Sequence, residues 1–259
     1  VAFTVVTYNV LATAYIRPEW YPHTPPAMLA PAHRVPALVR RVVALDADVL
    51  CLQEVESDVF AALETSLAPR GYAGTLARKA RRRPDGCATF FRREVFAPIE
   101  VARLPYRDGD PPSGHVAQIA VLQHDGRRLG VANTHLRWDP PGTSREQQWG
   151  HRQVRELLGG CDARSATGWI VCGDLNVPPE SDVVAALRAA GLEHAHGAWP
   201  RMYTCNSNAT AKTIDYLFHS AALCATPQPV SPVDDRTPLP GADHPSDHVP
   251  VEARFEWAS

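Results

Sequence analysis

Short apolar runs recur along the chain, and several end in a carboxylate, an amide or an imidazole. "VAFTVVTYNVLA" (1–12) alternates and is β-branched, which predicts a strand ending near Asn9. The segment 13–30 carries Pro18, Pro22, Pro25 and Pro26 between aromatics and reads as a long irregular loop. Apolar residues at helical spacing over 31–47 predict a helix with Arg34, Arg40 and Arg41 on its polar face. A short buried strand over 48–55 and a helix over 57–68 follow, the latter stopped near Pro69 and Gly71.

Strands are expected near 72–77, 87–92 and 99–104, then a pair within 115–136 around the turn His124-Asp125-Gly126. The stretch 144–160 reads as a helix with Ser144 as N-cap and Gly159 as C-cap. "WIVCGDLN" (169–176) is a strand, and Ser181 can cap a helix over 182–191. Late strands are predicted at 213–220 and 249–257. No repeat and no convincing Pro/Gly linker divides the chain, so residues 1–259 read as one domain, with two packed sheets flanked by helices.

Composition narrows this picture only slightly. The chain is 45% hydrophobic and 21% charged, with a net charge of −2, which argues against a single dominating basic surface for nucleic acid. A local basic patch beside an acidic metal site remains compatible with that balance. No apolar run is long enough for a membrane span. The six Cys show no C-x-x-C spacing, and Cys51, Cys87 and Cys172 sit inside apolar runs, so the chain reads as reduced, intracellular and cytoplasmic. It starts at Val1 without an initiator Met, which leaves room for a trimmed targeting segment.

The polar residues at the strand ends carry the chemistry. Asn9, Glu54, His135, Asp174 with Asn176, Asp215, and Asp247-His248 each have an ordinary structural reading as a turn, a cap or a solvated end. Asp215 between two apolar residues is the least ordinary, because a buried carboxylate must be paired or bound. Together they supply hard oxygen ligands of the kind Mg²⁺ takes, and imidazoles able to move protons near neutral pH. A zinc site built on spaced thiols, a G-x-S-x-G nucleophile and a G-x-x-x-x-G-K loop find no match in the sequence.

In order, "TYNVLA", "LQEV", "DGCATFFR", "NTHL", "GDLN", "IDYLF" and "PSDHVP" resemble the endonuclease/exonuclease/phosphatase superfamily over positions 7–250. More narrowly, "TYNVLA", "DGCATFFR" and "NTHLRWDP" resemble the poly(A) deadenylase branch with its nocturnin, angel and 2′-phosphodiesterase relatives. The resemblance implies a DNase I-like, four-layer α/β/β/α sandwich of two mainly antiparallel sheets. It also implies Mg²⁺ as cofactor, with Mn²⁺ as a substitute.

Glu54 is then expected as principal Mg²⁺ ligand, with Asn9 in or beside the metal shell and Asp247 holding metal or water. Asp174 would orient or deprotonate the attacking water, and Asn176 would bind the scissile phosphate or a second metal. His248 would contact the phosphate and transfer a proton, held by Asp215. His135 would be the second imidazole there, with Asp85 as its carboxylate partner. Asn133, with Lys79 and Arg83 from the cationic run "RKARRR" (78–83), is expected on the substrate side, although that run also reads as a solvated loop. Trp138 is either a base-stacking platform or packed on the following helix.

The expected activity is 3′-to-5′ exonucleolytic hydrolysis of single-stranded RNA, possible on poly(A), releasing 5′-nucleotides. Phosphatase or small-nucleotide and dinucleotide hydrolysis, as in nocturnin-like enzymes, is the alternative, and DNA endonuclease activity ranks below it. The stretch 206–216 lacks the aromatic that deadenylase-like members place before the "IDY" strand. A monomer without a leucine-rich-repeat docking module or a membrane partner is expected.

Overall fold

The computed structural model describes residues 1–199 and 202–259. The first part of the chain forms β1 (Phe3–Asn9), α1 (Pro26–Leu29), α2 (Pro31–Leu45), β2 (Val49–Glu56) and α3 (Ser57–Leu67). Next come β3 (Tyr72–Arg78), β4 (Asp85–Arg92), β5 (Ala97–Pro105), β6 (Val116–His124), β7 (Arg127–His135) and α4 (Trp149–Asp162). The remainder is β8 (Gly168–Asp174), α5 (Asp182–Ala189), β9 (Leu192–His194), β10 (Cys205–Ser207), β11 (Thr210–Lys212), β12 (Asp215–Ser220), β13 (Leu223–Pro227) and β14 (Val251–Trp257).

Two six-stranded sheets run in the orders β13-β14-β1-β2-β4-β3 and β5-β6-β7-β8-β12-β9, and β10 with β11 forms a separate hairpin. Each sheet is antiparallel except for one parallel pair near its middle, β1 beside β2 and β7 beside β8. A parallel pair needs a crossover, and here α2 and α4 supply them. The crossover helices cover the outer faces, giving the α/β/β/α layering.

Strand alternation divides the core into three apolar layers. Phe3, Val5, Cys51, Val131, Ile170, Cys172 and Phe255 meet between the sheets. Val6, Tyr8, Leu50 and Leu52 face Leu38, Val42, Val59 and Leu63 of α2 and α3. Ile119, Ala132 and Val171 face Val154, Leu157, Val183 and Leu187 of α4 and α5. Period-two alternation thus sends Val5 and Val6, or Cys51 and Leu52, to opposite faces of one strand. Each fully buried aliphatic side chain contributes about 1.5–3 kcal/mol, so burial on both faces accounts for the near-continuous apolar reading of these strands.

Register decides where the polar ends go. Asn9 lies opposite Gln53 in one parallel pair, and His135 opposite Asp174 in the other. The antiparallel partners begin at the same edge, with Asp85 across from Glu56 and Asp215 across from Asp174. Six strand ends therefore deliver polar side chains to one end of the sandwich.

Three local expectations change. Helix α4 starts at Trp149 rather than Ser144, because the Asp139 carboxylate accepts from the N–H groups of Trp149 and Gly150, each at 2.9 Å. Gly159 lies inside that helix, which ends at Asp162. Arg34 is not on a solvated face: it is fully buried, donating Nη1 to the carbonyls of Val10 and Pro245 and Nη2 to Thr13 Oγ1. The cap at Ser181 is present, its hydroxyl accepting from Val184 N–H. All six cysteines are free thiols, five of them buried and Cys224 exposed. Among the described residues, no helix is long and apolar enough to cross a membrane.

Candidate active site

Backbone irregularities aim the key side chains. The pairing of β2 with β4 shifts between Leu52 and Val55, and Glu54 in that bulge has φ of 59°. A bulge re-aims one side chain, and a non-glycine residue in the left-handed region marks a position the surroundings enforce. Asn176, just past β8, has φ of 55°. Within β8, Gly173 of "GDLN" has φ of 141°, and any Cβ there would collide with the Thr134 carbonyl of neighbouring β7.

Asp174 is the hub. Its Oδ2 accepts from Asn9 Nδ2 at 2.9 Å and lies 3.6 Å from His135 Nε2 and 3.8 Å from His248 Nε2. Its Oδ1 accepts from the Asn176 N–H at 2.8 Å. Burial, and then the nearby Asp215 carboxylate, push the Asp174 carboxyl up to about 7.

His248 is oriented from behind. Its Nδ1 meets Asp215 Oδ2 at 2.8 Å, and Thr204 Oγ1 donates to the same oxygen at 2.6 Å. This partner fixes the ring orientation and leaves Nε2 facing Asp174. Burial alone lowers the imidazole pKa, but Asp215 and the nearby Asp247 outweigh it and hold it well above the ordinary histidine range.

His135 has the opposite character. Its Nδ1 lies 3.2 Å from Lys79 Nζ and its Nε2 2.9 Å from Asn176 Nδ2. Burial, then the charge of Lys79, hold its pKa well below the ordinary range, so the ring is neutral. Asp85 is not its direct partner. The Asp85 carboxylate accepts from Lys79 Nζ at 2.7 Å and from Tyr15 Oη at 2.7 Å, with the ammonium standing between carboxylate and imidazole. Lys79 is accordingly an internal residue, its side chain 1% exposed, rather than part of a solvated rim.

The remaining expected residues divide. Asn133 is turned between the sheets: Nδ2 donates to the carbonyls of Leu52 and Ala88, and Oδ1 accepts from Gln53 Nε2. It stitches the two sheets together and does not face the cleft. Arg83 and Arg137 line a small recess with Arg81 and Ser113. Trp138, 57% exposed, stands on the wall of the main cleft. That cleft has a volume of about 810 Å³ and runs from Glu54, Asp174 and His248 to Trp20, Trp199 and Tyr203. All four exposed aromatics among the described residues, Trp20, Trp138, Trp199 and Tyr203, line it. Residues 206–215, ahead of Tyr216, supply no aromatic, and the Asn208 N–H bonded to the Trp20 carbonyl at 2.7 Å ties the β10–β11 tip to that wall.

Three further residues adjoin the site. Tyr21 is buried in the early loop and donates to Asp247 Oδ2 at 3.2 Å. His115, before β6, stacks edge-on at 6.2 Å from His135, with Nδ1 3.1 Å from Ser113 Oγ; burial and then Lys79 lower it to about 2. Neither carries a motif signal, since each lies outside the strand-end pattern. Cys205 joins Asp247 and His248 at the cleft.

The donor set fits a hard divalent cation. Glu54 is 12% exposed, with Oε1 accepting from Asn9 Nδ2 at 3.0 Å and Oε2 from the Ala12 N–H at 2.8 Å. Burial and then repulsion from Asp247 raise its pKa, the mark of carboxylates crowded without enough positive charge. Glu54 and Asp247 would hold such an ion. Asn9 offers its NH₂ to the carboxylates of Glu54 and Asp174 while its Oδ1 accepts from the Leu11 N–H at 3.0 Å, so it sits beside the ion-holding pair as an orienting group.

The family model described as "Endonuclease/Exonuclease/phosphatase family" matches residues 6–248. The CCR4-Not complex 3′-5′-exoribonuclease subunit Ccr4 of Candida albicans is 27% identical over 98% of this chain and 41% of its own length. Human 2′,5′-phosphodiesterase 12 is 26% identical over 97% of this chain and 51% of its own. The chain thus spans about half or less of these two relatives. The crystal structure of ANGEL2, a 2′,3′-cyclic phosphatase, superimposes with a TM-score of 0.85 at 24% identity, covering 98% of this chain and 95% of that one. It shares the fold.

Proposed function

The chain belongs to the endonuclease/exonuclease/phosphatase family of hydrolases, and on that premise we propose that it is a divalent-metal-dependent phosphodiesterase acting 3′-to-5′ on single-stranded RNA and releasing 5′-nucleotides. The observation that carries the reading is the convergence on Asp174 Oδ2: a neutral imidazole at 3.6 Å and a charged one at 3.8 Å flank a carboxylate poised near neutrality. RNA as substrate is favoured by the exoribonuclease named among the relatives and by the aromatic-lined cleft.

Each residue then has a task set by its surroundings. Asp174, with its pKa near 7, orients water and takes its proton as attack begins, the value at which a base is most effective at physiological pH. His248, kept protonated by Asp215, donates Nε2–H to a phosphoryl oxygen or to the leaving oxygen. His135, neutral and held at Nδ1 by the Lys79 ammonium, lines the opposite side of the phosphate. Mg²⁺, held by Glu54 and Asp247 when bound, supplies charge that stabilises the phosphorane-like transition state. Trp138 and Trp20 present faces on which bases can stack, an interaction worth about 1–3 kcal/mol per base.

Product chemistry tests this. Digestion of a 3′-A-tailed RNA in Mg²⁺, resolved by chromatography, is expected to yield 5′-mononucleotides. Accumulation of 3′-phosphate or 2′,3′-cyclic ends would overturn the assignment.

A further inference from the structure

Cys205 has no part in the hydrolytic scheme, yet it stands against the residue that scheme most needs. Its Sγ, a ring nitrogen of His248 and a carboxylate oxygen of Asp247 all lie within 4.8 Å of one another. All three residues are at least nine-tenths buried, and Cys205 lines the cleft, which gives an ion a way in. We propose that Cys205, Asp247 and His248 form a second cation site, selective for a thiophilic divalent ion such as Zn²⁺, whose occupation withdraws His248 from catalysis.

The backbone sets the three donors before any ion arrives. Cys205 bridges His248, Asn206 donates to the Asp247 carbonyl at 2.9 Å, and Val249 donates to the Thr204 carbonyl at 2.8 Å. Two short segments are thereby zipped together with their side chains in register. The imidazole is also oriented: Nδ1 is committed to Asp215 at 2.8 Å, so Nε2, 3.9 Å from Asp247 Oδ1, is the nitrogen that would bind an ion. The ion must displace the Nε2 proton and that of the Cys205 thiol into solvent. A histidine whose far nitrogen is held by a carboxylate is the usual support for bound zinc. Zinc bonds of about 2.3 Å to sulfur and about 2.0–2.2 Å to nitrogen and oxygen require only a small inward movement of donors spaced this way, and leave a fourth position open.

Chemistry separates this site from the carboxylates that suit Mg²⁺. A sulfur, nitrogen and oxygen set prefers Zn²⁺ or Cd²⁺, whereas Glu54 and its surroundings offer oxygen. Asp247 belongs to both sets, so a thiophilic ion draws away an oxygen donor as well as the imidazole. The inhibitory consequence rests on the proposed role of His248; the binding site itself does not.

The test uses the full chain with Cys224→Ser, which removes the exposed thiol and leaves the other cysteines buried. Titration with Cd²⁺ is expected to raise an ultraviolet thiolate-to-cadmium charge-transfer band that saturates at one ion per chain and is absent after Cys205→Ser. Competition against a chromogenic chelator is expected to show Zn²⁺ held about 10–100-fold more weakly by Cys205→Ser. Cys205→Ser is expected to keep Mg²⁺-supported RNA hydrolysis and to lose its sensitivity to Zn²⁺. Should that variant fail to fold, Zn²⁺ is expected to shield Cys205 of the parent chain from iodoacetamide, read by mass spectrometry. Cation binding without the thiolate band, equal zinc affinity with and without the thiol, or unshielded alkylation would overturn the site. Failure to cleave RNA would count against the proposed function alone, since both binding readouts are independent of it.

Discussion

Asp215 Oδ2 and His248 Nδ1 lie 2.8 Å apart in the interior, and this contact sets the charge of the imidazole that faces the cleft. Asp215 is fully buried and held by Thr204 as well, so in the proposed scheme it acts through His248 rather than on a reacting atom. Loss of His248 is expected to lower turnover by about 10²–10⁴. Asp215→Asn is expected to do more than slow the enzyme. Without the carboxylate the imidazole pKa falls, so the alkaline limb of the rate profile moves to lower pH. A profile that drops uniformly with no shift of that limb would remove the positioning role.

Asp174 provides a second test, on stability rather than rate. Its folded pKa is raised from 3.8 to about 7, so the folded chain keeps a proton that the unfolded chain has already released. Ionisation therefore costs nothing below about pH 4 and destabilises the metal-free fold progressively up to about pH 7. Asp174→Asn removes the penalty. In EDTA it is expected to melt at least about 3 °C above the parent at pH 8 and level with it near pH 4. A difference independent of pH would contradict this.

Arg34 offers a test of the scaffold behind the site. Its guanidinium joins Val10, Thr13 and Pro245, tying the end of β1 to the segment that leads into Asp247 and His248. Arg34→Ala leaves two buried carbonyls without a donor and opens a cavity. A loss of about 2–5 kcal/mol in urea unfolding is expected. A change within about 0.5 kcal/mol would show that water or neighbouring groups take over.

What could be read beforehand followed from strand physics. The strand ends at Asn9, His135 and Asp174 were legible because long alternating or buried runs lead into them, and register then carries them to one edge. Arg34 could have been found: it lies four and eight residues before Leu38 and Val42, on the same buried stripe of α2. Lys79 could not, because a run such as "RKARRR" gives no local sign that one of its members turns inward to a carboxylate six residues on. Asn133 was misplaced because an amide inside a family-like motif reads the same whether it meets substrate or, as here, stitches two sheets together. The hairpin β10–β11 has strands of three residues, too short for any period, and only tertiary pairing brings Cys205 to His248.

The most direct measurement is a time course on a 5′-labelled, 3′-A-tailed RNA, resolved by length, with Mg²⁺, with EDTA, and with Asp174→Asn in Mg²⁺. The account expects a ladder shortening from the 3′ end in the first lane set, and intact RNA in the other two. Cleavage that persists in EDTA or in the variant, or internal cuts scattered along the strand, would contradict it.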